Sequence, residues 1–540
     1  MRNSTTIANL NENYTLFNVL LTLAEQLLSS NNLTAAAAIA QIAAHHAFTS
    51  HSGLFASPRL ERLLLALGCR IPASSRPRSG SVRNVLHVLT YARYVGGDTR
   101  FVRRWIEQDT NHRHSVIVTR QSDLKGPESL AEAVSNAGGT LRTLRAPVSR
   151  PLEQALELRD LAQEMDAVAL HLFPDDIVPV LAFAPNDSSR PTIFVNHSDH
   201  TFWVGSSIAH LIIHLRSQSH QFLAERRGLD PAQAAIIPIP LLSHTQSLPV
   251  EQAKRALGYG PDTVLLLTIA SSYKYTPFDS VSFLELVVPV LQRNPQAVLL
   301  AVGPKPTDAW RSASLQTQGR VVALGPRWDT ELLYAAADVY LDSFPFSSIT
   351  SLLEAGIHGT PLLAYCPPNP EPWLLGPGAP GLESIIKQAV DSESYRKLLN
   401  YLICDPGYRR HTGQRSQERI FSLHTGDNWI SALNAVYQQL EQTTNRKCLV
   451  ATSDTFGDGA LDRAVAQVMQ RISIGLAPII DTYVSSLPYR SRFLVLLRLL
   501  QRRLNFSLSM FLPAFFESFV VGRAAWVGRA VRQILPPRKL

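Results

Sequence analysis

The chain has 540 residues, of which 45% are hydrophobic and 17% are charged, and it carries a formal net charge of +8. This length predicts two or three domains, and the composition excludes a disordered or fibrous protein. The positive charge is compatible with nucleic acid, anionic lipid or phosphorylated small molecules as partners, so its position along the chain decides between them.

The cysteines and the N-terminus indicate where the protein folds. The four cysteines form neither a C-x-x-C pair nor a Cys/His ligand spacing, which argues against a structural zinc site and a secreted disulfide framework. The first residues lack the basic and then apolar layout of a secretory signal. We therefore expect a cytoplasmic protein.

A helical domain is predicted over residues 1–75. Apolar residues recur at helical spacing from Tyr14 to about Gly68, and an alanine-rich run indicates close packing between helices. A packing or oligomerisation unit is the favoured interpretation, and the adjacent His45 and His46 fit packing better than metal binding. A stretch rich in serine, proline and arginine then predicts a linker over residues 76–83.

Two α/β halves follow, over residues 84–240 and 241–445. In each half, short runs rich in valine, isoleucine and leucine alternate with helical stretches, which predicts parallel sheets covered by helices on both faces. A proline-rich connector, IIPIPLLSHTQSLP, joins the halves. Ligands bind beyond the carboxyl ends of the strands in such sheets, so we expect two Rossmann-like domains that face a cleft.

The remaining residues, 446–540, predict basic amphipathic helices. From Leu487 onward arginines accompany leucines, phenylalanines and Trp526, while Pro513 and Glu517 interrupt the most apolar part, so a membrane span is not expected. Two interpretations stay open. The helices either lie on an anionic membrane surface, which would place the protein peripherally on the inner face of the membrane, or pack against the body of the protein.

The stretch DSFPFSSITSLLEAGIHGTPLLAY predicts a strand end, a turn, a helix and a second strand. The first turn of a helix leaves backbone N–H groups unpaired and carries partial positive charge. Hydroxyl side chains at this position either cap the helix or bind a phosphate. Four of them are present: Ser347, Ser348, Thr350 and Ser351.

Two further residues favour phosphate binding over simple capping. Lys274 lies just past the end of a predicted strand. At this position it can reach the phosphates from the side opposite the helix start. Glu354 lies about one turn into the helix, where it can accept hydrogen bonds from sugar hydroxyls, as acidic residues do for ribose. Lysine, hydroxyl cluster and acid together predict a site for a nucleoside diphosphate.

The first half contributes two motifs. Gly96 and Gly97 form a turn between strand and helix that permits a close backbone approach to a substrate or donor phosphate. The sequence NHSDH follows a predicted strand, so His197, Asp199 and His200 are candidates for the base that deprotonates an acceptor hydroxyl. Metal binding by this loop is the less favoured alternative, and the arginines that follow it are assigned no role.

These motifs resemble those of a known family. The stretch from Val264 to Tyr365, with YKYTP, AVGP and RVVALGPRWDTELLYAAADVYLDS, resembles the donor-binding half of GT-B glycosyltransferases, and within that fold it is most similar to the O-GlcNAc transferase family. The first half resembles the acceptor-side domain of bacterial GT-B enzymes through LTYARYVGGDTRFVRRWIEQD and FVNHSDHTFWVG. The resemblance covers roughly Asn84 to Leu440.

The resemblance implies a role for each matching residue of the donor half. Lys274 would contact the donor diphosphate, Thr350 and Ser351 would bind phosphate, and Glu354 would bind ribose. It also implies that no bound metal is needed. The cofactor requirement is therefore expected to be none, with the nucleotide sugar as a substrate.

Five positions depart from the family pattern. Ile349 stands where the family has a histidine at the helix start, Ser347 and Ser348 replace an Asn-Gly pair, and Asp98 stands where many relatives have a histidine. Many retaining GT-B enzymes carry a glutamate eight positions before the second one, and that position is Phe346 here. This last departure favours an inverting reaction.

The predicted function is transfer of a hexosyl or N-acetylhexosaminyl group from a nucleoside diphosphate sugar, such as a UDP-sugar, to an acceptor hydroxyl. The acceptor would be a glycan, a lipid-linked sugar or a protein. The alternative is a non-catalytic scaffold derived from a glycosyltransferase. A nucleic-acid binder ranks last, because the basic residues accompany leucines near the C-terminus instead of interleaving with aromatic residues over a groove.

Overall fold

The computed structural model describes residues 2–72, 82–94, 96–121, 126–184, 190–242, 248–277, 281–368, 375–443, 454–470 and 475–501. Most of the predicted linker over residues 76–83 lies outside these ranges. The predicted basic C-terminal region lies partly outside them, because the description ends at Gln501.

Three helices form the N-terminal region: α1 Arg2–Ser29, α2 Leu33–Thr49 and α3 Pro58–Gly68. The side chain of Asn32 accepts the backbone N–H of Ala35 at the start of α2, and Ser57 does the same for Leu60 at the start of α3. The alanines of α2 are buried, and they belong to one continuous apolar core with strands of the first sheet. The N-terminal helices therefore pack directly on the first α/β half.

The first half holds a parallel sheet of seven strands in the order β3-β2-β1-β4-β5-β6-β7. Its elements are β1 Asn84–Leu89, α4 Gly97–Gln108, β2 Arg113–Val118, α5 Glu128–Asn136, β3 Leu141–Thr143, α6 Pro151–Leu161, β4 Ala167–His171, α7 Val178–Ala182, β5 Thr192–Asn196, β6 Leu211–His214, α8 Ser219–Arg227 and β7 Ala234–Ile236. Its central strands are buried over almost their whole length, as expected for a sheet with helices on both faces.

The second half holds a parallel sheet of six strands in the order β10-β9-β8-β11-β12-β13. Its elements are α9 Val250–Ala256, β8 Val264–Ile269, α10 Phe283–Arg293, β9 Ala297–Val302, α11 Asp308–Gln316, β10 Val321–Gly325, α12 Glu331–Ala336, β11 Val339–Leu341, α13 Ile349–Ile357, β12 Leu362–Tyr365 and β13 Lys387–Ala389. The helix α13 is followed by Gly359 at φ 79°, a left-handed conformation that glycine adopts without strain.

The described residues that follow form six further helices: α14 Ser392–Cys404, α15 Pro406–His424, α16 Gly426–Thr443, α17 Ala460–Met469, α18 Leu476–Ser485 and α19 Tyr489–Gln501. The helix α16 returns to the first half, where Trp429 and Tyr437 join the core that contains Trp105 of α4. The helix α18 packs against α2. In the described part of the chain, no helix combines the length and apolar character needed to cross a bilayer.

The prediction of two Rossmann-like α/β halves that face a cleft, flanked by N-terminal and C-terminal helices, is confirmed. The central strands of each sheet are buried and largely apolar, as expected for sheets with helices on both faces. The domain boundaries themselves stay predictions, since the terminal helices share apolar cores with the α/β halves.

Candidate active site

Two helix starts meet between the halves. The helix α4 begins at Gly97 and α13 begins at Ile349, and a Cβ atom added to Gly97 would lie 3.1 Å from Oγ1 of Thr350. A methyl group at this position would require the Thr350 side chain to shift by a few tenths of an ångström, which favours a glycine here. Both helices direct unpaired backbone N–H groups and partial positive charge toward the cleft, so an anion is favoured there.

Lys274 lies beside the start of α13, in the turn that follows β8. Its Nζ donates a hydrogen bond of 2.9 Å to the carbonyl of Ser347 and stands 4.4 Å from the centre of the Phe346 ring. Burial, together with the nearby Arg216 guanidinium, lowers the pKa of Lys274 to about 8, and the carboxylate of Asp342 opposes this change. A lysine with such a pKa gains from any ligand that brings negative charge.

Arg216 is the residue of this cluster that sequence analysis leaves without a role. It follows the end of β6, its Nε lies 3.6 Å from Oδ2 of Asp199, and one of its terminal nitrogens donates to the carbonyl of Gly376 at 2.6 Å. Its position just past the end of a buried strand is the signal that could have found it. Arg227, in contrast, is buried and donates to the carbonyls of Asp199 and Thr201, so it supports the loop from within.

The hydroxyl residues at the start of α13 lie where the sequence predicts. The backbone N–H of Ser348 donates to Oδ1 of Asp342 at 3.0 Å, and the hydroxyls of Ser348 and Ser351 lie 3.4 Å apart. Ser347 is buried, and its carbonyl holds Lys274. Asp342 therefore fixes the turn that presents these hydroxyls beside the lysine.

The three base candidates differ in their surroundings. His197 is partly exposed, with its Nε2 lying 3.0 Å from Nδ1 of His171, and burial lowers its pKa to about 4 against the effect of Asp98 and Asp199. His200 packs its ring 4.5 Å from that of Phe346, and burial lowers its pKa to about 3.

Asp199 is buried, and each of its oxygens has a polar neighbour. Nδ2 of Asn196 donates to Oδ1 of Asp199 at 2.5 Å, and Nδ1 of His214 lies 3.6 Å from the same oxygen. Burial alone would raise the pKa of Asp199, but His214 and Arg216 lower it below the usual range. These contacts are those of a residue that shapes the loop around His197.

Glu354 joins the two halves. Its carboxylate accepts hydrogen bonds from Arg100 at 2.9 Å, from Arg104 at 2.6 Å and from the Tyr334 hydroxyl at 2.9 Å. Burial would raise the pKa of Glu354, but the two arginines, which belong to α4, lower it below its usual value. The sequence predicts this carboxylate at the cleft but not its arginine partners.

A cavity of about 400 Å³ opens next to Glu354, within the size range of sites for small ligands. Arginines of α4 and the preceding loop line one side, and Trp328, Asp329 and Tyr334 line the other. The Trp328 side chain is 77% exposed, so its ring is free to pack against a planar ligand.

Comparison with known proteins supports the architecture. No protein-family model and no curated protein sequence matches the chain. Among solved structures it is similar to a glycosyltransferase from Rickettsia africae, with a TM-score of 0.52 and 12% identity over 66% of this chain and 98% of that one. It is also similar to Anabaena HepE in complex with UDP and glucose, with a TM-score of 0.50 and 14% identity over 67% of this chain and all of that one.

A third similar structure is a mutant O-GlcNAc transferase from Thermobaculum terrenum, with a TM-score of 0.45 and 16% identity over 81% of this chain and 85% of that one. The likeness to the first two structures, at 12% and 14% identity, concerns the fold alone. Two facing parallel sheets of seven and six strands, flanked by helices, agree with it. The chain therefore has the GT-B fold of glycosyltransferases, as its sequence predicts.

Proposed function

We propose that the protein transfers a sugar from a UDP-sugar to an acceptor hydroxyl, with inversion at the anomeric carbon. The observation that carries this proposal is the convergence of Lys274, Arg216 and the start of α13 on one part of the cleft, with His200 beside it. His197 lies near Asp199, the carboxylate next to Arg216. Two neighbouring cations and a helix start favour a diphosphate. The similar structures are glycosyltransferases, and HepE is bound to UDP.

The donor would be held along the line from Lys274 to Glu354. The diphosphate would contact Lys274, Arg216 and the hydroxyls at the start of α13, and the Gly96–Gly97 turn leaves room for it on the side of α4. The ribose would contact Glu354. The nucleobase of the donor would lie in the adjacent cavity, where Trp328 offers a stacking surface.

The reaction would then proceed in one displacement. A ring nitrogen of His197 takes the proton of the acceptor hydroxyl, the oxygen forms a bond to the anomeric carbon, and the bond from that carbon to the diphosphate breaks. The electron pair goes to UDP, whose developing charge Lys274 and Arg216 stabilise. Phe346 fills the position at which many retaining enzymes have a carboxylate, which supports inversion.

Incubation of the purified protein with a panel of nucleotide sugars tests this proposal. UDP at one hundred times its dissociation constant should add roughly 2.7 kcal/mol of stability, and one UDP-sugar should be hydrolysed or transferred. Proton NMR of the product should show the anomeric configuration opposite to that of the donor. EDTA should leave the rate unchanged, because the two cations supply the charge. Absence of both UDP binding and turnover would leave a non-catalytic scaffold.

We also propose that the C-terminal region attaches the protein peripherally to the inner, cytoplasmic face of a membrane, near a lipid-linked or other glycan acceptor. The helix α19 exposes Tyr489, Phe493, Leu497 and Leu500 along one side. These positions recur at helical spacing, so they can enter the headgroup boundary together. Arginines of the same helix would contact anionic lipid.

Co-sedimentation with vesicles tests the membrane proposal. The double variant Phe493→Glu/Leu497→Glu should bind anionic vesicles more weakly than the parent, and rising salt should weaken the parent too. Leu315→Glu on α11 is the matched control, because Leu315 is 76% exposed but lies in the donor half. Equal sedimentation of parent and double variant would contradict the proposal.

A further inference from the structure

A row of four hydrogen-bonded histidines crosses the first sheet beneath the cleft. Nε2 of His197 lies 3.0 Å from Nδ1 of His171, Nε2 of His171 lies 3.1 Å from Nδ1 of His87, and Nε2 of His87 lies 3.0 Å from Nδ1 of His114. The row ends at Asp109, whose backbone carbonyl lies 3.2 Å from Nε2 of His114. We call these four residues the histidine row.

The register of the sheet produces the histidine row. The strands β2, β1, β4 and β5 are neighbours in the sheet. The first three each contain one member of the row, and His197 directly follows the end of β5. His114 pairs with Val85, two residues before His87, and His87 pairs with Ala169, two residues before His171. Each step toward the cleft therefore advances two residues, so all members share one face of the sheet.

The contacts fix which nitrogen of each ring carries the hydrogen. The carbonyl of Asp109 can only accept, so Nε2 of His114 must be the donor, and in the neutral ring its Nδ1 is then the acceptor. Nε2 of His87 then donates to His114, and the same logic repeats through His171 to His197. Neutral histidine has one N–H, so this arrangement leaves Nδ1 of His197 with a free lone pair.

We propose that Asp109, His114, His87 and His171 are positioning residues that hold His197 in its Nε2–H tautomer, so that its Nδ1 receives the proton of the acceptor hydroxyl. This inference rests on the proposed function of His197 as the base. In the step itself the O–H bond of the acceptor breaks and an N–H bond forms at Nδ1. The opposite tautomer would present an N–H to the hydroxyl and could not act as a base.

The surroundings keep the middle of the histidine row, His87 and His171, neutral and anchored. His87, His114 and His171 are buried, and burial holds the pKa of both His87 and His171 well below the usual range. The rings pack against Phe101 and Trp105 of α4, which carry no charge.

The charged groups lie at the two ends of the row. Asp98 and Asp199 face His197. At the far end, His112 lies 2.7 Å from Oδ1 of Asp109 and the Tyr437 hydroxyl donates to Oδ2 at 2.9 Å. Burial would raise the pKa of Asp109, but hydrogen bonds from His112 and His114 lower it well below the usual range, so it stays an acceptor.

Nitrogen NMR of the full-length protein with ring-labelled histidine reads the tautomers directly. The four members of the histidine row should be Nε2–H tautomers, as their hydrogen bonds indicate. In His87→Gln the amide keeps a polar contact but no longer transmits a fixed direction, so His197 should become a mixture of tautomers. His46→Gln is the control, because His46 is also buried and its side chain has one described hydrogen bond, to the carbonyl of Asn13.

Kinetics then separate positioning from mere packing. His87→Gln should lower kcat at least tenfold, while its KM for the donor and its affinity for UDP remain close to those of the parent. The control variant should match the parent in all three quantities. An Nδ1–H tautomer of His197 in the parent would overturn the proposal, and so would full kcat in His87→Gln when His197→Gln is inactive. If His87→Gln fails to fold, His114→Gln, three rings from His197, gives the same reading.

The same experiments distinguish this inference from the proposed function. A parent protein that neither binds UDP nor turns over any nucleotide sugar would refute the glycosyltransferase, while its nitrogen spectrum would still confirm or refute the tautomer order. A parent that is active, and stays fully active as His197→Gln, would show that another base operates. The positioning role would then be refuted.

Discussion

The carboxyl edges of the two sheets are built in opposite ways. In the first half, the polar groups beneath the cleft are paired with one another, from Asp109 through the histidine row to His197. At the second edge, burial and the guanidinium of Arg216, which follows β6 of the first half, lower the pKa of Lys274, and Asp342 offsets only part of their effect. An edge whose polar groups are paired with one another suits the positioning of a catalytic base. An edge with excess positive charge suits the binding of an anion.

The largest expected effect on activity comes from His197, at the cleft end of the histidine row. His197→Gln should lower kcat/KM by about 10²–10⁴-fold, because general base catalysis is worth that much, while leaving UDP affinity unchanged. In the parent, burial lowers the pKa of His197 to about 4, so this base is neutral through the physiological range and its acidic limb should lie near pH 4.

Steady-state kinetics from pH 3.5 to 8 check this expectation. His411→Gln, at an exposed position on α15, serves as the control and should match the parent. An unchanged acidic limb in His197→Gln would move the base assignment to His200, whose ring lies in the same cleft.

Removing charge from the second edge should affect turnover and stability in opposite directions. Lys274→Met should lower kcat by about 10²–10³-fold, the loss typical of one group that stabilises transition-state charge. Its melting temperature at pH 7 should equal or exceed that of the parent, because the folded protein holds a charged lysine at a site that lowers its pKa to about 8.

The sign of the pH dependence follows from the same pKa. The folded value of about 8 lies below the unfolded value, so the penalty in the parent is present below pH 8 and disappears as pH rises toward 10.5. The stability advantage of Lys274→Met should therefore shrink over that interval. Lys305→Met, at an exposed position after β9, is the control and should show neither effect. A clear loss of stability in Lys274→Met at pH 7 would contradict this account of the second edge.

The affinity for UDP should depend on whether Lys274 is protonated. Affinity should be constant below pH 8 and then fall by up to tenfold per pH unit, because the bound diphosphate favours the charged lysine over the neutral one. Lys274→Arg keeps its charge at every accessible pH and should abolish the decline. Calorimetric titration between pH 6.5 and 9.5 measures both proteins, and a decline that persists in Lys274→Arg would assign it to another group.

The sequence predicted the elements of the second edge better than those of the first. Lys274, the hydroxyl cluster and Glu354 all lie within about one hundred residues, in local strand, turn and helix patterns that sequence can reveal. The histidine row depends on the strand order β2-β1-β4-β5, which is not the order along the chain. Its four histidines are visible in the sequence, but their contact follows only from strand pairing and register.

Several short strands and the arginine contacts of Glu354 could not be predicted from the sequence. The short strands β3, β6, β7 and β13 have three or four residues each, too few for a periodic pattern to stand out. The contacts of Arg100 and Arg104 with Glu354 join residues more than two hundred positions apart. They arise where the two halves meet, and no local pattern indicates that geometry.

Glu354 is where the two edges touch, and it should show the smallest effect. If its carboxylate accepts a ribose hydroxyl, UDP should bind the parent about twofold to tenfold more tightly than 2′-deoxy-UDP, the worth of one hydrogen bond. The lower end is expected, because Arg100, Arg104 and Tyr334 already donate to this carboxylate and the ribose must compete with them. Glu354→Gln should reduce the preference, since the neutral amide is a weaker acceptor. Glu331→Gln, an exposed carboxylate on the same cavity, should preserve it. Equal affinities of the parent for the two nucleotides would make Glu354 solely an ion-pair partner that joins the halves.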